Sequence, residues 1–147
     1  MRAVIQVSDG ASVSVKNPAT GEYDETGAFE GHGLVVLLAA THDDGPEQVE
    51  TMVRKIAELR VLPGELSASD ANAPVLVISQ FTLYGNTKKG RRPSWIAAAP
   101  GEIAEPLVDA VIAGLRARDL SVGTGKFGAM MRVSLTNDGP CTLLVEC

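Results

Sequence analysis

Apolar and polar residues alternate at the start of the chain, with Ala3, Ile5 and Val7 set against Arg2, Val4 and Gln6. The alternation resumes at Ala11-Ser12-Val13-Ser14-Val15. A period of two predicts strands over Met1–Ser8 and Ala11–Val15, and Asp9-Gly10 between them predicts a hairpin turn. Lys16 to Gly33 is polar and broken by Asn17-Pro18 and several glycines. That composition predicts a long excursion with a short strand or two at the sheet margin. Leu34 to Ala40 is an unbroken apolar run, which predicts a strand covered on both faces.

The period then changes. Val49, Met52, Val53, Ile56 and Leu59 recur at helical spacing after Pro46, which suits a first helical turn, and Leu62-Pro63-Gly64 stops the helix. Ser67 to Pro74 reads as a loop. A second helix is predicted over Ile103–Arg118, turning Ile103, Leu107, Val111 and Leu115 inward, with a turn of helix before it at Ser94–Ala99. Leu120–Val122, Ala129–Thr136 and Thr142–Glu146 read as the closing strands. Strands and helices in this order lack a regular βαβ rhythm. They predict one α+β domain over residues 1–147, whose antiparallel or mixed sheet carries two long helices on one side.

The stretch Val75 to Arg92 organises the rest. Val75-Leu76-Val77-Ile78 passes into Ser79-Gln80-Phe81-Thr82-Leu83, bounded by Pro74 and Gly85, and predicts a buried strand. A buried hydroxyl or amide without a partner costs about 1–3 kcal/mol. Ser79, Gln80 and Thr82 therefore either pair with neighbouring backbone or line a polar pocket. The basic run Lys88, Lys89, Arg91 and Arg92 would sit at the rim of such a pocket.

Composition narrows the function classes. Among 147 residues 45% are hydrophobic and 21% charged, which is ordinary globular content, long enough for a core without staples. No apolar run approaches a membrane span, and Met1–Ile5 lacks the pattern of a signal peptide. Two cysteines, Cys141 and Cys147, stand close together in one predicted strand and suggest a reducing, cytoplasmic setting. A net charge of −5 disfavours wholesale coating of nucleic acid. Yet four of the thirteen Lys and Arg lie between Lys88 and Arg92, so a local phosphate contact stays open.

Common catalytic sets are missing. His32 and His42 lack zinc-site spacing with the cysteines, and nothing local would lower the pKa of Cys141. Asp43-Asp44 is better explained as helix capping than as a cation site. Gly123-Thr124-Gly125-Lys126-Phe127-Gly128 lacks the spacing and following helix of a phosphate loop, leaving a turn with one aromatic able to stack on a base. Asn137-Asp138-Gly139-Pro140-Cys141-Thr142 reads as a hairpin turn. It also contains one of the few bonds where a cis peptide costs only about 0.5–1 kcal/mol, which would aim two carbonyls together.

Ser79-Gln80-Phe81-Thr82-Leu83 and Asn137-Asp138-Gly139-Pro140-Cys141-Thr142 together resemble the paired signatures of D-aminoacyl-tRNA deacylases. Met1-Arg2-Ala3-Val4-Ile5-Gln6, Thr41-His42-Asp43-Asp44, Lys89-Gly90-Arg91-Arg92-Pro93-Ser94 and Phe127-Gly128-Ala129 add to the resemblance in family order. The resemblance implies a homodimer of barrel-like β domains with helices outside, needing neither metal nor cofactor. It implies a pocket at Ser79, Gln80, Phe81 and Thr82 for the tRNA acceptor end carrying a D-amino acid or glycine. It implies that Gly139-cisPro140, supported by Asn137 and Thr142, reaches into the other subunit's pocket and excludes L residues. Lys88, Lys89, Arg91 and Arg92 would hold phosphates, and Phe127 would stack on the terminal adenine. Either Thr82 is the nucleophile, or main-chain amides around Phe81 and Thr82 polarise the ester while the substrate's 2′-hydroxyl helps activate water. The second route requires no base that the sequence lacks.

Three positions depart from the pattern. Val7 stands where the family commonly has Arg: either the Arg is substituted, or the strand is one residue short and the pairing shifts to Val7-Ser8. A slip of one would swap faces, which puts support for the Gly-Pro loop in question. Cys141 replaces a usual Val, and Lys16 to His32 is longer than the family hairpin. A non-enzymatic dimeric nucleic-acid-binding module on the same scaffold is the competing reading.

Overall fold

Strand β1 runs unbroken from Arg2 to Lys16, because the Asp9-Gly10 signal makes a bulge and not a hairpin turn. Gly10 takes a positive φ of 81° there, which a side chain would resist. The register against the next strand slips at this point, and the slip exchanges the two faces of the ribbon. Ala3, Ile5 and Val7 therefore enter the large core beneath the helices, whereas Ala11 and Val13 enter a smaller core with Val35, Leu76 and Ile78. One strand serves both sides of the sheet.

The computed structural model describes residues 1–147. Strand β2, Tyr23–Ala39, returns antiparallel to β1, so the expected loose excursion is a long two-stranded arm closed by Asn17–Glu22. Helix α1 spans Pro46–Glu58, and a short α2, Ala68–Ala71, lies within the segment read as loop. Strand β3 covers Val75–Ser79 only; Phe81–Tyr84 forms a 3-10 turn in place of the predicted strand end. The segment 94–99 forms no helix but a single turn, with the Ala98 N–H donating to the Trp95 carbonyl at 3.0 Å, pinned by bridges from Ser94 to Asn86 and from Ala98 to Thr41. Helix α3 spans Gly101–Arg116, β4 Val122–Thr124 and β5 Met131–Glu146.

The sheet order is β4-β3-β2-β1-β5, with β3 parallel to both neighbours and β1 antiparallel to both of its own. The fold is thus α+β with a mixed sheet and two long helices, as the residue pattern predicts. The hydrogen-bonded ladder is open, so barrel closure is not part of it. Helix α3 buries Ala104, Val108, Val111, Ile112 and Leu115, leaving Ile103 exposed. The predicted stripe stepped by four at every turn and drifted off the 3.6-residue period at its start. Gly114 lets α1 come close, since a Cβ there would lie 2.7 Å from Cγ2 of Val53. No helix is long and apolar enough to cross a membrane.

Strand β5 also corrects an expectation. Asn137–Cys141 is not a turn between two strands but an outward fold within one, paired to β1 on both sides. Gln6 pairs with Thr142 and Ser8 with Asn137, so residues 138 to 141 stand opposite Val7 alone. The surplus residues leave the ladder at the edge of the sheet.

Candidate active site

A cleft of about 530 Å³ opens where β3 ends, lined by Ser79, Gln80 and Phe81 and, facing them, by Phe127 and the residues after it. The small residues Ala99, Gly101 and Ala104 at the start of α3 complete it. Gln80 continues the β2–β3 ladder by donating its N–H to the Leu38 carbonyl at 2.7 Å. The chain then tightens into the 3-10 turn. Its first N–H groups, those of Phe81 and Thr82, stand where a helical segment leaves donors without internal partners.

The expected pocket residues divide. Ser79, Gln80 and Phe81 line the cleft, and Phe127 joins them. Thr82 does not line it; the Gln80 side-chain amide donates to its hydroxyl at 2.5 Å. No buried side-chain polar atom in the structure lacks a partner.

The turn is clamped from the first and last strands. The Arg2 guanidinium donates to the Leu83 carbonyl at 2.7 Å, packs over the Tyr84 ring at 4.6 Å and pairs with Glu146 at 2.5 Å. Burial, followed by the negative charge of Asp44, pushes the Tyr84 phenol up to about 12, against the opposing pull of Arg2.

The Gly139-Pro140 bond is cis, and both residues are exposed and absent from this chain's own cleft. Support for the loop comes from Gln6. Its amide nitrogen donates to Asn137 Oδ1 at 2.6 Å and to the Cys141 carbonyl at 3.2 Å, while the Thr142 hydroxyl donates to its amide oxygen. Val7 faces the opposite way, into the main core. The doubt raised by the missing Arg is resolved by the neighbouring residue on the loop-facing side. His32 Nε2 lies 2.6 Å from Asp138 and ties the far side of the loop to β2.

Lys88, Lys89, Arg91 and Arg92 occupy an exposed loop closed by the Asn86–Ser94 bridge, and none forms an ion pair. Phe81 meets Trp95 edge-on, with ring centroids 5.7 Å apart. Sequence reasoning passed over Gln6, Arg2 and Trp95. Gln6 and Arg2 carried a signal, as polar members of an alternating strand; Trp95 carried none, because its contacts depend on how distant segments meet.

The fold and the cleft define an α+β domain with a small-molecule-sized cavity at the end of β3. The chain belongs to the D-Tyr-tRNA(Tyr) deacylase family, whose model matches residues 4–146. It is 58% identical over 146 residues to the D-aminoacyl-tRNA deacylase of Streptomyces coelicolor, covering 99% of each chain. It is 53% identical to that of Corynebacterium glutamicum over 149 residues, covering 100% of each. Among solved structures it resembles a c-Myc DNA unwinding element binding protein, with TM-score 0.86, 38% identity and coverage of 100% and 99%. A probable eukaryotic D-amino acid tRNA deacylase shares the fold, with TM-score 0.77, 18% identity and coverage of 98% and 97%.

Proposed function

We propose that this protein hydrolyses the ester joining a D-amino acid, or glycine, to the 3′ end of tRNA, acting as a cytoplasmic homodimer. The observation that carries the reading is the meeting of Ser79, Gln80, Phe81 and Phe127 on one cleft in a chain of this family. Water attacks the ester carbonyl, and the carbonyl oxygen gathers charge facing the N–H of Phe81, with that of Thr82 next in the turn. Each such donor is worth about 2.7–4 kcal/mol in a preorganised site. The acyl carbon–oxygen bond breaks, and the ribose oxygen leaves with a proton, giving free amino acid and tRNA. The substrate's 2′-hydroxyl helps to activate the water as a relay, accepting the water's proton as it passes its own to the departing 3′-oxygen, with no metal ion required.

Handedness is judged by position. D and L esters carry the same groups, so only placement separates them. With the amino group and ester fixed, the side chain and α-hydrogen exchange places between enantiomers. Main-chain carbonyls of Gly139 and Pro140 from the partner subunit stand where an L side chain would go, and collision rejects every L residue. Glycine has nothing to collide and is accepted. The protrusion of residues 138–141 from an edge strand supports such a role, as do Leu135 and Leu144, exposed along the same strand. A sheet edge with apolar side chains is a natural surface for a second copy.

Incubating the protein with matched D- and L-aminoacyl-tRNA, with and without chelator, tests the reading. Cleavage of the D ester alone, insensitive to chelator, is expected. The reading fails if neither ester is cleaved faster than in buffer. A nucleic-acid-binding module without activity is the second reading, favoured by the name of the 38% identical structure; it predicts DNA binding with both esters left intact.

A further inference from the structure

Phe81 links the cleft to a second feature. On its far side stands Trp95, and the two rings are exposed by 56% and 43%. Exposed aromatic surface of this extent, with Ile96 beside it exposed by 85%, marks a contact site. The indole is nonetheless held firmly. Asn86 and Ser94 exchange backbone hydrogen bonds of 2.8 and 3.1 Å just before it. Just after it, the Thr41 hydroxyl donates to the Ala97 carbonyl at 2.6 Å and His42 Nε2 lies 2.9 Å from the Ile96 carbonyl. Gly85 makes room beneath: a Cβ there would lie 2.6 Å from Cζ3 of the indole. Beyond the Asn86–Ser94 bridge lie the four unpaired cations of the 88–92 loop.

A fixed, exposed π-face between a cleft and free cations is what an unpaired nucleotide needs, with base and phosphate served by neighbouring groups. A base inside a duplex is already stacked and offers no free face. We propose that Trp95 is the stacking platform for the unpaired base preceding the terminal nucleotide of tRNA, with its phosphate held by the Lys88–Arg92 loop. The inference rests on the proposed deacylation. It adds a binding residue outside the cleft that anchors the single-stranded end before the ester is engaged.

Trp95 is the only tryptophan in the chain, so its fluorescence reports on this contact directly. The unmodified protein is titrated with an RNA minihelix ending in single-stranded CCA, and with the same helix blunt-ended, while binding is followed independently by filter retention. Quenching by the overhang helix and none by the blunt helix is expected. Trp95→Ala should weaken minihelix binding and raise KM by about tenfold, with kcat nearly unchanged and recovery in Trp95→Phe. Bound overhang helix that leaves the fluorescence unaltered, or emission that follows protein concentration alone, overturns the proposal. So does an unchanged KM in Trp95→Ala while the unmodified enzyme cleaves the D ester. Quenching without any ester cleavage would instead retain the platform and remove the proposed reaction.

Discussion

The Gln80 side-chain amide donates to the Thr82 hydroxyl at 2.5 Å, so the oxygen that could attack an ester is already engaged by a donor. A hydroxyl becomes a nucleophile when a base removes its proton, and this neighbour gives one instead. Thr82→Val should therefore reduce the single-turnover deacylation rate by less than about tenfold, a positioning effect and not the loss of a covalent step. A fall to the rate in buffer, with tRNA still bound, would make Thr82 the nucleophile.

Gln6 holds both ends of the protruding loop through Asn137, Cys141 and Thr142. Gln6→Ala removes these links and leaves partners on β5 unsatisfied. A loss of about 1–2 kcal/mol in unfolding free energy is expected, together with faster hydrogen exchange at residues 137–142 than elsewhere in β5. Unchanged exchange there would show that the loop is held by its own backbone.

The 88–92 loop should act on affinity alone. Replacing Arg91 and Arg92 by Gln should raise KM and leave kcat nearly constant. The slope of log affinity against log salt should shrink by roughly 0.7 to 0.9 for each phosphate contact removed. A variant with the salt dependence of the original protein would place the phosphates elsewhere.

Tyr84 predicts an alkaline limit. Its folded-state value of about 12 lies above the ordinary 10.0, so the folded chain keeps this proton when the unfolded chain has lost it. That contribution is whole below pH 10 and disappears as pH climbs toward 12. Denaturant midpoints measured across this window should fall more steeply for the original protein than for Tyr84→Phe. Equal slopes would mean that the phenol is not shielded.

Much of the fold was readable because periodicity reports burial. Leu34–Ala40, α1 and β3 lie where an apolar run or a helical stripe predicts them. The errors arose where one local signal serves two structures. Asp9-Gly10 favours a positive φ, which suits a hairpin turn or a bulge, and only the pairing of β1 with both β2 and β5 decides for the bulge. The Asn137–Pro140 run likewise breaks a ladder whether the chain reverses or continues. The cleft was legible in part. Ser79, Gln80 and Phe127 stood out as polar or aromatic residues in unusual places. Their meeting depends on α3 and the 125–130 segment folding back over β3, a long-range contact that no local pattern encodes.

Arg2 joins Glu146 to the Leu83 carbonyl, so both extremities of the polypeptide are moored to the turn that presents Phe81. In most domains fraying at the ends is harmless. Here, peeling back the final few residues would slacken the turn that lines the cleft while the packed interior was still intact, and the proposed deacylation would fade before any melting was seen.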